Sequence, residues 1–193
     1  MLAAMIFAMI SAELAGADEL PFDRTRINRY SLDGRPRSVS VRQGELIWFG
    51  YDLEQAKPFK VWRAPGARGD SGLKRGFTTR SVGTALFEDK SMAGWHLVGR
   101  DQSPPLKVRY LGCTQGKGHF EFRWELTTGS RRLRLRERVP IDGDKIVRDL
   151  RVEGLKSDEA LQLPAAAGRA WKNAEGNAVA ALNNNKWIRL MLP

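Results

Sequence analysis

Between Lys107 and Leu155 the chain alternates hydrophobic and polar residues: Phe120, Phe122, Trp124 and Leu126 are separated by Glu121, Arg123 and Glu125. A period of two is the signature of a strand with one buried and one wet face. Turn-forming residues at Thr127-Thr-Gly-Ser130 and at Asp142-Gly143 interrupt the pattern, so the stretch predicts four antiparallel strands in succession.

The turns also predict a register. With Gly129 and Ser130 as a two-residue turn, Leu126 faces Leu133 and Trp124 faces Leu135, while Glu125 meets Arg134, Arg123 meets Arg136 and Glu121 meets Arg138 on the other face. With Asp142 and Gly143 as a type I′ turn, Val139 falls opposite Ile146, Leu135 opposite Leu150 and Leu133 opposite Val152. Both choices put the apolar residues on one face. They also put Glu137 on that face, opposite Arg148. A single buried charge left alone costs about 3 to 5 kcal/mol, so the two are expected as a structural ion pair. The floor of a polar pocket is the alternative reading of the same pair.

Further strands are predicted at Ser38–Arg42, Glu45–Tyr51 and Phe59–Trp62, with Asp33-Gly34-Arg35-Pro36 as a turn before them. Ala64–Gly76, rich in glycine and basic residues, reads as a loop and contains Arg68-Gly69-Asp70, too short a tripeptide to carry meaning. Short apolar segments follow at Ala85–Phe87, Trp95–Val98 and Ala160–Leu163. Gly176–Leu182 and Lys186–Leu192 read as a last hairpin around Asn183–Asn185, its final strand needing either a partner at its edge or a longer architecture. The fold class expected is all-β, an antiparallel β-sandwich built on the four-stranded meander, with a mutarotase-like supersandwich as its larger form.

Composition adds three constraints. The apolar run Met1–Ala12 followed by Ala15-Gly16-Ala17 fits a signal peptide, although no Lys or Arg precedes it; residues 1–17 are then a leader and 18–193 one sandwich domain, periplasmic or secreted. No segment reaches the roughly 18 apolar residues of a membrane span. The net charge of +10 favours anionic partners, but the arginines of Arg131–Arg138 alternate with core residues, and Arg134 and Arg138 face the acids Glu125 and Glu121 in the predicted register. They read as paired surface charge rather than as a nucleic-acid site, and the aromatic residues of the meander lie on the opposite face.

Candidate chemistry is sparse. One cysteine, Cys113, excludes an internal disulfide. Cys113 and His119 flank a glycine-rich turn but fall short of the about four ligands of a zinc site, and there is no Cys-x-x-Cys-His haem attachment, so neither metal nor cofactor is expected. The residues best suited to a ligand are Trp62, Arg63, Trp95 and His96, where an aromatic face beside a guanidinium suits a sugar ring and its hydroxyls; core packing fits the two tryptophans equally well.

The segment Tyr51–Arg63 (YDLEQAKPFKVWR), its glycine-rich continuation Ala64–Gly76, and the later strands Val108–Gly112, Phe120–Trp124 and Arg136–Arg138 resemble a module of large exported planctomycete and verrucomicrobial proteins that often also carry c-type cytochrome or sugar-dehydrogenase-like domains. The resemblance covers roughly Val39–Leu155. It implies an exported, noncatalytic, β-rich binding or docking module near carbohydrate-oxidising or cytochrome-linked machinery, with a carbohydrate, acidic or sulfated for a basic chain, or a periplasmic redox protein as partner. A mutarotase-like or lyase-like carbohydrate enzyme is the alternative; it needs a general acid and base, for which His96, His119 and scattered carboxylates are the available groups.

Overall fold

The computed structural model describes residues 26–68, 71–99, 106–143, 145–164 and 171–193. The leader-like residues 1–17 and the Gly69-Asp70 part of the tripeptide lie outside the described residues. The described chain holds strands and turns without a helix: β1 (Ile27–Leu32), β2 (Arg35–Gln43), β3 (Ile47–Asp52), β4 (Lys57–Arg63), β5 (Leu73–Lys74), β6 (Arg80–Ser81), β7 (Thr84–Glu88), β8 (His96–Val98), β9 (Lys107–Gly116), β10 (His119–Thr128), β11 (Arg131–Pro140), β12 (Val147–Glu153), β13 (Ala160–Gln162), β14 (Ala181–Leu182) and β15 (Ile188–Met191).

Two five-stranded antiparallel sheets form a sandwich, the first ordered β1-β2-β3-β4-β7 and the second β15-β12-β11-β10-β9. Val39, Val41, Phe49, Tyr51 and Val61 of the first sheet share one buried cluster with Phe120, Phe122, Trp124, Leu126, Leu133 and Leu135 of the second. Tyr51 crosses the interface, its ring centroid 4.3 Å from that of Phe122. A small sheet, β14-β13-β8, adds Leu161 and Leu182 to the same cluster.

The first sheet is covered on its other face as well. Trp48, Phe59 and Trp62 pack there with Leu32 and Leu73 under the β5–β6 hairpin, the indoles of Trp48 and Trp62 stacked 6.0 Å apart. Both faces of β3 are therefore buried, which is why Glu45–Tyr51 reads as a nearly continuous apolar run instead of an alternation. Gly72 permits this closure: a Cβ on it would lie 2.4 Å from the indole nitrogen of Trp48. Trp62 Nε1 donates to the Gly72 carbonyl at 2.9 Å.

The meander has the expected order, and β10–β11 the expected register, with Leu126 opposite Leu133, Trp124 opposite Leu135 and Glu121 opposite Arg138. The β11–β12 register differs by two residues: Leu135 faces Val152 and Glu137 faces Leu150. Asp142-Gly143 does not close a two-residue turn, because the connection is engaged with the first sheet. Gly44 N donates to the Ile141 carbonyl at 2.6 Å and Gln43 Nε2 to the Lys145 carbonyl at 3.0 Å. A shift of two preserves the face, so Glu137 and Arg148 still meet in the core, now diagonally.

Two elements depart further from the sequence pattern. Asn28 and Arg29 hid β1 in a stretch that reads as polar; it pairs with β2 across the Asp33-Gly34 turn, where both residues adopt positive φ, 50° and 81°. The last hairpin is not formed. β14 joins β13 and β15 joins β12, because Asn184 Oδ1 accepts from the Gly154 and Leu155 amides and holds the intervening turn against the second sheet.

Candidate functional site

The four residues singled out for ligand binding do not converge. Trp62 is fully buried in the outer cluster of the first sheet, whereas Trp95 is 3% exposed and belongs to the cluster between the sheets. Arg63 is exposed at the end of β4 and His96 is exposed on β8 opposite Gln162. As placed, the Trp62 indole has no free face for a sugar to stack on.

Trp95 does border a cleft, by a different route. At one end of the sandwich a cavity of about 580 Å³ is lined by Arg35, Asp52, Glu54, Gln55, Met92 and Trp95, among others, with Leu106 and Val108 as an apolar wall. Its floor is the β3–β4 connection. Asp52 Oδ1 accepts from the Glu54 and Gln55 amides at 2.9 and 3.1 Å, an Asx turn of the kind an aspartate favours. Asp52 Oδ2 accepts from Arg35 Nη1 at 2.9 Å. Trp95 Nε1 donates to the carbonyls of both Gln55 and Ala56 at 3.1 Å, so the indole braces the floor from beneath.

The rim is set by a buried ion pair. Lys57 Nζ donates to Asp89 Oδ2 at 2.8 Å and to the Ser91 and Ala93 carbonyls at 3.1 and 2.8 Å, which uses all three of its protons. Both side chains are 1% exposed. Burial works against ionisation of Asp89, but hydrogen bonds from Lys57 and Ser91 outweigh it and hold its carboxyl below the usual range. The segment so anchored carries Met92, whose sulfur accepts from Gln55 Nε2 at 3.0 Å. Gln55 is 9% exposed, and its Oε1 is buried without a hydrogen-bond partner among the described residues. A buried amide oxygen in that state is costly unless something donates to it.

Deeper in the core, Arg148 Nη2 donates to Glu137 Oε2 at 2.9 Å, Arg148 Nε lies 2.9 Å from Glu137 Oε1, and the Tyr51 hydroxyl donates to Glu137 Oε1. Burial pushes the Glu137 carboxyl above its ordinary range, against the pull of Arg148 and Tyr51. Arg148 also lies over the Trp171 ring, 5.2 Å from its centroid. This network is sealed between the sheets, with Glu137 and Arg148 at 0% and 1% exposure, and serves as a structural pair rather than a pocket floor.

Cys113 is half-buried against the core, and burial pushes its thiol up to about 12. His119 Nδ1 lies 3.2 Å from the Lys117 carbonyl. Among the described residues no group of three or more His, Cys, Asp or Glu side chains is placed to hold a metal ion, and no helix is long and apolar enough to cross a membrane.

No protein-family model, curated protein or solved structure matches this chain.

Proposed function

We propose that this chain is an exported, noncatalytic carbohydrate-binding module that seats a sugar unit in the cleft at the end of the sandwich. The observation that carries the reading is Gln55, which lines a cleft that also offers Arg35, Asp52 and Glu54, and whose buried Oε1 has no partner among the described residues. A sugar hydroxyl both donates and accepts, and such a set answers both needs: Gln55 and the carboxylates accept, Arg35 donates. Leu106 and Val108 supply an apolar wall for the C–H face of a ring, in a cavity within the range of about 300 to 1,000 Å³ typical of small-ligand sites.

The same stretch that resembles exported planctomycete modules, Tyr51–Arg63, builds the cleft floor through Asp52, Glu54 and Gln55 and reaches the core through Tyr51. That coincidence supports placing the module beside carbohydrate-oxidising or cytochrome-linked partners. The test is a titration of isotopically labelled protein with neutral and acidic monosaccharides and short oligosaccharides. The expected result is saturable shifts of the Gln55 side-chain amide and the Trp95 indole N–H in the parent, with the Trp95 shift abolished by Gln55→Leu in a protein that stays folded. Turnover of an aldose that is lost in His96→Ala would favour a mutarotase-like enzyme instead.

A further inference from the structure

The outer face of the second sheet carries an arrangement that stability alone does not favour. Arg123 on β10 lies directly opposite Arg136 on β11, and Arg136 directly opposite Arg151 on β12. Three like charges thus stand side by side across adjacent strands, where like-charged cross-strand neighbours are destabilising. Strands are about 4.8 Å apart, so neighbouring guanidinium groups can reach one common anion.

The carboxylates around this row neutralise it only in part: they pair Arg136 and Arg151 and leave Arg123 without one. Glu121 is taken by Arg136 and Arg138 at 2.6 and 2.7 Å; burial opposes its ionisation, but those two guanidinium groups hold its carboxyl below the usual range. Glu125 faces Arg134 in the register, as the sequence predicts, yet it turns to Arg109 on its other side at 2.9 Å. Glu153 lies near Arg151 and Arg136 at 3.3 and 3.8 Å, and Asp149 is held by Arg189 at 2.8 Å. The side chains of Arg123, Arg132 and Arg134 have neither an ion pair nor a hydrogen bond among the described residues, and all three residues are exposed. These three line one concavity of about 590 Å³ with Arg109, Arg136, the exposed side chain of Leu111 and the two carboxylates Glu125 and Glu153, each of which is paired with an arginine. Leu111 is carried outward by the bulge at Leu111-Gly112, where β9 has an extra residue opposite β10. At the far side of the face the half-buried Trp187 stacks on Arg138, 4.3 Å from ring centroid to guanidinium carbon.

We infer that this arginine face is a second binding surface, distinct from the end cleft, for an extended anionic glycan bearing sulfate or carboxylate groups. Unpaired guanidinium groups in adjacent positions match the oxygens of such groups bidentately. The apolar surface of Leu111 and the indole of Trp187 suit the ring faces between the charges. A bound anion also neutralises Arg123, the member of the row that has no carboxylate partner, beside the already paired Arg136 and Arg151.

The inference is tested on the full chain by calorimetry with sulfated dextran oligosaccharides and oligogalacturonate, with unsulfated dextran, poly-glutamate and a short DNA duplex as comparators. The expected result is binding to the anionic glycans alone or most tightly, weakening as salt rises. Arg123→Thr and Arg134→Thr should each lower affinity about tenfold, or about 1.4 kcal/mol, with a Tm equal to or above that of the parent, since each removes an unneutralised charge. Gln55→Leu should leave this binding intact, so that failure of the cleft and failure of the face are told apart. No binding to either anionic glycan, or tighter binding to poly-glutamate or DNA, overturns the inference. So does loss of affinity only in variants whose Tm has fallen.

Discussion

Replacing Arg148 by Met leaves the Glu137 carboxyl buried between the sheets at 0% exposure with only the Tyr51 hydroxyl donating to it. An uncompensated carboxylate there takes up a proton rather than remain charged. Neutralising a group that ionises near 4.5 in the unfolded chain costs at most about 3.4 kcal/mol at pH 7 and about 1 kcal/mol at pH 5, at about 1.36 kcal/mol per pH unit, and the parent, whose Glu137 carboxyl burial already raises, bears part of that cost itself. The variant's Glu137 has a raised folded-state pKa, so the stability it retains is present at low pH and lost as pH rises through 4.5 and beyond. Loss of the guanidinium contact with the Trp171 ring adds a part that does not vary with pH. Urea unfolding at pH 7 and pH 5 should therefore give a destabilisation that is larger at pH 7 than at pH 5, by at most about 2.4 kcal/mol. The double variant Glu137→Met, Arg148→Met removes both charges and should recover most of the loss. What remains is the orphaned Tyr51 hydroxyl, about 1 to 3 kcal/mol, which adding Tyr51→Phe should return. A cost at pH 7 below about 1 kcal/mol, or one equal at both pH values, refutes the reasoning.

Three other outcomes follow from the same structure. Lys57→Met strands the Asp89 carboxylate and the Ser91 and Ala93 carbonyls, and should cost about 3 to 5 kcal/mol by urea unfolding while moving the Met92 resonances most. Gly72→Ala places a methyl group 2.4 Å from the Trp48 indole nitrogen, and should lower stability by about 1 to 3 kcal/mol with a change in tryptophan fluorescence. Burial raises the Cys113 thiol to about 12 and raises the phenols of Tyr51 and Tyr110 above their ordinary value. Each contributes stability that is whole below its unfolded pKa and lost above it, so Tm should hold up to the ordinary thiol value of 9.0 and fall as pH climbs past 10.0.

The parts of the fold legible in the sequence are those set by local alternation. The β10–β11 register followed from one turn and one apolar face, and the inward Glu137 and Arg148 followed with it because parity survives a slip of two residues. Long-range ties were not legible. Nothing near Asp142 signals that its connection is engaged by Gly44 and Gln43 of the other sheet, nor does Asn184 announce that it caps the end of β12.

The site residues divide in the same way. The sequence marks Trp62 and Trp95 as large aromatics but not which side of the first sheet each takes. The bulge in the β3–β4 pairing, at Gly50/Tyr51, turns Phe59 outward, to the side opposite Val61. A signal for the cleft was present in Asp52-Leu-Glu-Gln55, whose aspartate followed by polar residues is the mark of an Asx turn. The Glu121 and Arg138 pair was readable from the register, and so was Arg123 opposite Arg136. That Glu125 prefers Arg109 to Arg134 depends on β9, on the far side of β10.

The most direct test of the central claim is the spectrum of the Gln55 side-chain amide and the Trp95 indole during a sugar titration. Saturable shifts of both signals in the parent, with the Trp95 shift lost in Gln55→Leu while the rest of that variant's spectrum is preserved, are the outcome predicted for a sugar seated over the β3–β4 connection. Saturable sugar binding that leaves both signals unmoved, or that survives in Gln55→Leu, contradicts it.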